Sequence, residues 1–349
     1  MRAGPAGLVH AGPPGLVRAG PPGLSSRQSG LTGRGARRRL ARVAIATLAA
    51  ILVAGCGTSA PGAPGAPGGS AAPSPAPDAV AVVATTTVFA DLVRQAGGVA
   101  VRVTSLVPAG GDPHTYAPTP SDVRSIAGAD LVVMNGLGVD DWLKPLLAEA
   151  KRPASALIEL GPDQSGVTYL AGDGGTGSVN PHLWLNVAYA ELYVKRIVAA
   201  LRAAAPAKQA VLQASGDAYL VRLAALDTAI RAQIATIPAA NRKLISYHDA
   251  FPYFAAAYGL TVVGTVVPSP GQDPNAGQVA ALIDIIRANH VKAIFSEAQF
   301  NPKVEQQLAA EAGVTVVSNL YNDALGLPPV DTYEGMMRWD ADRVVEALR

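Results

Sequence analysis

The chain has 349 residues, 49% hydrophobic and only 15% charged. Its formal charge of +2 arises at the N-terminus, where residues 1–55 hold eight Arg and no acid; residues 56–349 carry 20 basic and 26 acidic side chains, a balance of −6. That excludes a nucleic-acid binder, which needs a basic face, and the lone cysteine, Cys56, excludes an internal disulfide, a cysteine-based zinc site and thiol catalysis. The remaining length is enough for two domains with a large core.

Residues 3–26 are three copies of an eight-residue Gly/Pro-rich unit without the three-residue period of collagen, and they are expected to be disordered. A signal peptide follows. Arg34, Arg37, Arg38, Arg39 and Arg42 precede an apolar run at 43–53 that is too short to span a bilayer comfortably. It ends in Leu52-Val53-Ala54-Gly55-Cys56, which resembles a bacterial lipobox. The resemblance implies cleavage before Cys56, lipidation of its thiol and anchoring at the extracytoplasmic face of the cell membrane, since each buried methylene contributes about 0.8 kcal/mol. Residues 56–77, almost all Gly, Ala, Pro and Ser, read as a flexible linker.

The folded part starts near residue 78. Strands are expected at 80–84, 101–106, 131–134 and 156–160, with helices at 88–96, 141–150 and 187–204 between and after them. Thr119-Pro120-Ser121-Asp122 marks another helix start, with a capping Thr, Pro at the first helical position and an acid at the third. Residues 163–179 form a Gly-rich loop. Residues 207–237 have no breaker but Gly216, and Leu212, Tyr219, Leu223, Leu226, Ile230, Ile234 and Ile237 fall in one helical stripe. At 1.5 Å per residue the helix would run roughly 45 Å, as a strut between two regions. Strands then return at 244–247, 260–267, 293–296 and 314–317, with helices at 251–258, 275–289, 302–312 and 333–348. The alternation predicts an α/β fold: two βα domains with parallel sheets, 78–206 and 238–349, bridged by one long rigid helix at 207–237; the positions of the histidines place a metal cleft between them.

Ligands of open parallel sheets bind beyond the carboxyl ends of the strands. His114 lies in the loop Gly110-Gly111-Asp112-Pro113-His114-Thr115, His182 in Asn180-Pro181-His182-Leu183-Trp184, and His248 directly after a predicted strand. Three of the five histidines in rigid loops or at strand ends point to a metal site. A carboxylate is the natural fourth partner because it lowers the charge around a dication. Asp323, in Asn322-Asp323-Ala324, is the first choice; Glu297 is the second, better suited to orienting an imidazole than to touching the ion. Asp112 and Asp249 read as turn or helix-cap residues, and His10 and His290 receive no role.

Gly111-Asp112-Pro113-His114-Thr115-Tyr116, Asn180-Pro181-His182-Leu183-Trp184-Leu185, the long helix, His248-Asp249-Ala250-Phe251 and Asp331-Thr332-Tyr333-Glu334-Gly335-Met336-Met337 occur in that order. Together they resemble the zinc/manganese (ZnuA/TroA-like) receptors of ABC importers. The resemblance covers residue 80 to the C-terminus. It implies two pseudo-symmetric βα domains, a rigid linking helix and one metal held by His114, His182, His248 and Asp323. It also implies an importer permease with its ATPase as partners. The chain departs from the family at 161–179, where zinc receptors often carry a His- and acid-rich loop and this one has no His. Asn186 also stands where the family often has Asp or Ser.

The leading reading is a monomeric, lipid-anchored receptor, not an enzyme, that captures a transition metal for import. Three imidazoles and one carboxylate suit tetrahedral Zn²⁺; Mn²⁺, which prefers more oxygen ligands, is the alternative. A zinc hydrolase would keep three ligands and an open position with a general base, and the chain offers four ligands and no HExxH. A surface adhesin is compatible with the same sequence.

Overall fold

The computed structural model describes residues 74–172, 178–267 and 269–349. The octapeptide repeat, the signal peptide, Cys56 and residues 57–73 of the linker lie outside the described residues.

Two four-stranded sheets form, and every strand pairing in them is parallel. The first contains β1 (Val80–Ala84), β2 (Val101–Ser105), β3 (Leu131–Met134) and β4 (Leu157–Glu159), in the order β2-β1-β3-β4. The second contains β5 (Lys243–Ser246), β6 (Thr261–Thr265), β7 (Ala293–Glu297) and β8 (Thr315–Leu320), in the order β6-β5-β7-β8. In each sheet the half's second strand flanks its first, followed by the third and fourth. The two halves therefore share one topology.

The helices are α1 (Thr87–Gly97), α2 (Pro120–Ala127), α3 (Leu143–Glu149), α4 (Val187–Ala204), α5 (Gln209–Ile234), α6 (Pro252–Tyr258), α7 (Ala276–Asn289), α8 (Lys303–Ala312) and α9 (Tyr333–Leu348). The expected cap of α2 is present: the Asp122 carboxylate accepts from the Thr119 N–H at 2.7 Å and from its hydroxyl at 2.9 Å. The long helix is shorter than its apolar stripe suggests. Residues 206–208 form a 3₁₀ turn, and Ile237 is buried beyond the helix end, so α5 has 26 residues.

Strand alternation explains how each sheet is covered. Side chains of successive strand residues face opposite ways, and the core divides accordingly. Val82 and Val133 point to one side of the first sheet, whereas Val83, Val132 and Met134 pack on the other with Ile126 of α2 and Leu143 and Leu147 of α3. Likewise Leu244 and Phe295 face one side of the second sheet, and Ile245 and Ile294 the other, with Ile283 and Ile286 of α7 and Leu308 of α8. The two remaining faces are not separate cores. They belong to one cluster with α1, α4, α5, α6 and α9, running from Val82 through Ile197, Leu223, Leu226 and Phe254 to Met337 and Val344. The strut is thus also an internal beam. Gly216 permits its approach to α4, since a Cβ there would lie 2.5 Å from Val198 Cγ2.

Among the described residues no helix is long and apolar enough to cross a membrane. Because both sheets pack into one core along α5, Leu226→Ala should destabilise the protein by about 2–5 kcal/mol and lower one shared unfolding transition. Denaturant unfolding followed by tryptophan fluorescence and by far-UV circular dichroism checks this. Two separate transitions, only one of them shifted, would contradict it.

Candidate metal centre

Each half supplies loops at the carboxyl ends of its strands. In the first half, the loop after β2 carries His114. Asp112 folds that loop as a turn, accepting from the His114 N–H at 2.9 Å and from Thr115 Oγ1 at 2.6 Å. Trp142 Nε1 fastens it from α3's side by donating to the Pro113 carbonyl at 3.0 Å. The segment after β4 carries His182 at the entrance to a 3₁₀ turn, Leu183–Leu185. Asn135 secures it: its Nδ2 donates to the Pro181 carbonyl at 3.0 Å, and its Oδ1 accepts from Tyr193 Oη at 2.6 Å. Behind Asn135, buried Asp140 accepts from Thr85 Oγ1 and from the N–H groups of Asn135 and Gly136 at 2.7–2.9 Å. Burial still pushes its pKa up to about 6, against these hydrogen bonds.

In the second half, His248 follows β5 and Asp323 follows β8. The Asp323 loop is held largely by the other half. Gly110 N–H donates to the Leu325 carbonyl at 3.0 Å, Leu325 N–H to Thr87 Oγ1 at 2.7 Å, and Trp184 Nε1 to the Asn322 carbonyl at 2.8 Å. Tyr333 at the start of α9 repeats the crossing: its N–H donates to Asp91 of α1 at 2.8 Å, and its hydroxyl to the Trp184 carbonyl at 2.6 Å.

These anchors bring His114, His182, His248 and Asp323 together, with one donor atom from each within 4.8 Å of all the others. The Asp323 carboxylate is fully buried and surrounded by imidazoles: Oδ1 is 3.5 Å from His182 Nε2, and Oδ2 is 3.7 Å from both His114 Nε2 and His248 Nε2. His182 Nε2 and His248 Nε2 are 3.2 Å apart. His114 Nε2 and Asp323 Oδ1 are buried without a hydrogen-bond partner among the described residues. Buried polar atoms are nearly always satisfied; two orphans facing one point fit a cation there. The His114 side chain, 14% exposed, borders a cavity of 320 Å³ that His182 and His248 also line, together with Leu137, Val139 and Ser269.

The far sides of two rings are occupied. His248 Nδ1 is 2.6 Å from Glu297 Oε2, and its N–H donates to Glu297 Oε1 at 3.1 Å, so Glu297 grips both ring and backbone. Glu297 is the last residue of β7 rather than a loop residue beyond it, and the strand fixes its position. His182 Nδ1 is 3.0 Å from Asn180 Oδ1. Both rings therefore present Nε2 inward, as imidazoles that bind a metal typically do.

The electrostatics separate the histidines. Burial lowers the His114 pKa to about 3, with Asp323 opposing and His182 and His248 assisting. Burial also lowers that of His182. In His248 burial acts the same way, but the Glu297 carboxylate, its hydrogen bond and Asp323 outweigh it and raise the pKa to about 9. Burial pushes Asp323 up, yet the close approach of the His182 ring, 3.5 Å from Oδ1, and the electrostatic influence of His114 and His248 hold it well below the usual carboxylate range. The metal-free cluster thus stores one proton on His248, at a position a cation would replace.

Some features were not visible from sequence motifs alone. Gln299 donates from Nε2 to Asn322 Oδ1 at 2.6 Å and to Asp323 Oδ2 at 3.3 Å. Asp249 is not only a turn residue: its backbone and side-chain oxygens accept from Asn180 Nδ2 at 2.6 and 2.9 Å. Asn186, the variant position after the tryptophan motif, caps α4 by accepting from the Ala188 N–H at 3.0 Å. His290 ends α7 in a left-handed conformation, away from the cluster.

Two duplicated parallel-sheet halves with a buried three-histidine, one-carboxylate cluster where their loops meet define a substrate-binding protein of the metal-receptor class. The chain belongs to the ZnuA family, whose model, described as zinc-uptake complex component A, periplasmic, matches residues 82–347. It is 29% identical over 301 residues to the manganese-binding lipoprotein MntA of Halalkalibacterium halodurans, covering 86% of this chain and 95% of the relative. It is 27% identical to the iron ABC transporter substrate-binding lipoprotein MtsA of Streptococcus pyogenes, covering 78% of this chain and 89% of the relative. Among solved structures, the periplasmic zinc-binding protein TroA of Treponema pallidum superposes with a TM-score of 0.71 at 27% identity, covering 77% of this chain and 99% of that one.

The histidine assignment predicts a titration. In metal-free protein followed by NMR, His248 should hold its proton up to about pH 9. Glu297→Gln removes the charge that does most to raise this pKa while burial remains, so His248 should then lose its proton at a clearly lower pH. A His248 titration unchanged by Glu297→Gln would contradict the assignment.

Proposed function

We propose that this protein is a lipid-anchored, extracytoplasmic receptor that captures one divalent transition-metal ion at His114, His182, His248 and Asp323 and delivers it to an ABC importer permease with its ATPase. The observation that carries this reading is the buried Asp323 carboxylate facing three inward imidazole nitrogens, two of the donor atoms lacking a hydrogen-bond partner among the described residues. All four donors come from one chain, so a monomer suffices. The boundaries 78–206, 207–237 and 238–349 belong to the same reading, with two domains meeting at the ion.

Zinc is the ion the donor set favours. A tetrahedron with metal–ligand arms of 2.0–2.1 Å has edges of about 3.3 Å; four nitrogen–nitrogen and nitrogen–oxygen separations in the cluster run from 3.2 to 3.7 Å, and one donor atom from each residue lies within 4.8 Å of the others. Three imidazole nitrogens suit Zn²⁺, whereas Mn²⁺ seeks more oxygen. Manganese is the second reading because relatives are named for manganese, MntA among them and PsaA of Streptococcus pneumoniae at 26% identity. Affinity alone does not discriminate, since Zn²⁺ outranks Mn²⁺ at almost any nitrogen site. A hydrolase is disfavoured because four protein donors leave no position for an activated water.

The discriminating experiment is physiological. Cells lacking the protein should grow poorly under a zinc chelator and recover with added zinc but not manganese; rescue by manganese alone would overturn zinc while sparing the site. Lipid anchoring through Cys56 is tested in the same cells. Cys56→Ser should abolish partitioning of the protein into detergent, and unchanged partitioning would refute the anchor.

A further inference from the structure

Asn180 is 1% exposed and lies in the first half, two residues before His182. Its side chain makes hydrogen bonds in two directions. Oδ1 accepts from the His182 backbone N–H at 3.0 Å and lies 3.0 Å from His182 Nδ1. Nδ2 donates to the carbonyl of Asp249 at 2.6 Å and to its carboxylate Oδ2 at 2.9 Å, 69 residues away in the second half. The amide orientation follows from the chemistry of the partners. A backbone N–H can only donate and a backbone carbonyl can only accept, so Oδ1 must face His182 and Nδ2 must face Asp249. With an acceptor fixed against Nδ1, the His182 ring must carry its proton on Nδ1 and direct the lone pair of Nε2 at the cluster.

We propose that Asn180 is a positioning residue: it locks His182 in the metal-ready tautomer and fastens it to the residue that follows His248, so that metal release requires this cross-half amide link to open. This rests on the metal-receptor reading. Additional anchorage supports it, since Tyr253 Oη donates to the Asn180 carbonyl at 3.0 Å and accepts from the Leu170 N–H at 3.0 Å. Asn180 reaches no closer to the ion than the back of a ligand ring. Its effect should therefore appear in release kinetics and in ring tautomer rather than in the number of ions bound.

The test exchanges the two partners. Asn180→Asp keeps an acceptor for His182 but removes both donors to Asp249 and sets carboxyl against carboxyl. Zinc release into excess chelator should quicken about tenfold or more, because the link between His182 and the residue after His248 is replaced by carboxylate–carboxylate repulsion. Asp249→Asn alone should be mild, since the amide oxygen and the backbone carbonyl still accept. In the double variant N180D/D249N the amide at 249 can donate to the carboxylate at 180, and release should return to within about threefold of the unsubstituted protein, as expected for a coupled pair. Thermal unfolding of each metal-free protein separates lost stability from lost grip. Failure of N180D to alter release, failure of the double variant to restore it, or rescue of stability without rescue of release would each overturn the assignment.

Nitrogen NMR of the metal-free, unsubstituted protein gives a second reading, independent of any ion. His182 should be protonated at Nδ1, and protonation at Nε2 alone would also overturn the assignment. Absence of zinc binding by the unsubstituted protein would instead refute the receptor reading itself, whatever the tautomer.

Discussion

A carboxylate with no exposure to solvent cannot remain ionised without compensation, and the structure is organised around giving Asp323 that compensation. Its two oxygens face three imidazole nitrogens, and only one of the three rings is strongly biased towards holding a proton. One positive charge on His248 balances Asp323 in part, while Glu297 behind the ring adds a second negative charge. The cluster is thus left with an excess of negative charge, unpartnered lone pairs and a single displaceable proton. A divalent cation resolves all three, which is why the arrangement suits reversible capture of a metal ion better than structural ion pairing.

The precision of such a site depends on the rigidity of what surrounds it. The four donors come from four loops and from both halves, yet the halves share one hydrophobic cluster along α5. Hydrogen bonds cross between them at Gly110–Leu325, Trp184–Asn322, Tyr333–Asp91 and Asn180–Asp249. A large relative movement of the halves would break these bonds together, at about 1–3 kcal/mol for each buried partner left unsatisfied, as at Trp184–Asn322 and Tyr333–Asp91. Metal release is therefore expected to involve loop-scale opening around the cluster rather than wide separation of the halves.

Much of this was legible in the sequence. The stripe from Leu212 to Ile234 announces α5, the Thr119 to Asp122 pattern announces α2, and the histidines stand out because Gly, Pro and strand ends fix their surroundings. These signals are local, written in spacing and turn chemistry. The rest depends on contacts between distant residues. Asp249 reads as a turn residue because nothing near it in sequence shows Asn180 donating to it from 69 positions away. Gln299 has no motif, and its contact with Asp323 exists only because the ends of β7 and β8 are adjacent. The merging of the two inner sheet faces into one core was also hidden, since apolar alternation shows that a face is buried but not against what.

Three imidazoles and one carboxylate of this chain are proposed to surround a single ion. X-ray absorption at the zinc edge of zinc-loaded protein tests it most directly. One zinc per chain is expected, with a four-coordinate shell of three imidazole nitrogens and one carboxylate oxygen at about 2.0–2.1 Å, and one imidazole should be lost from that shell in His182→Ala. A shell without three imidazoles, or one unchanged by that substitution, would contradict it.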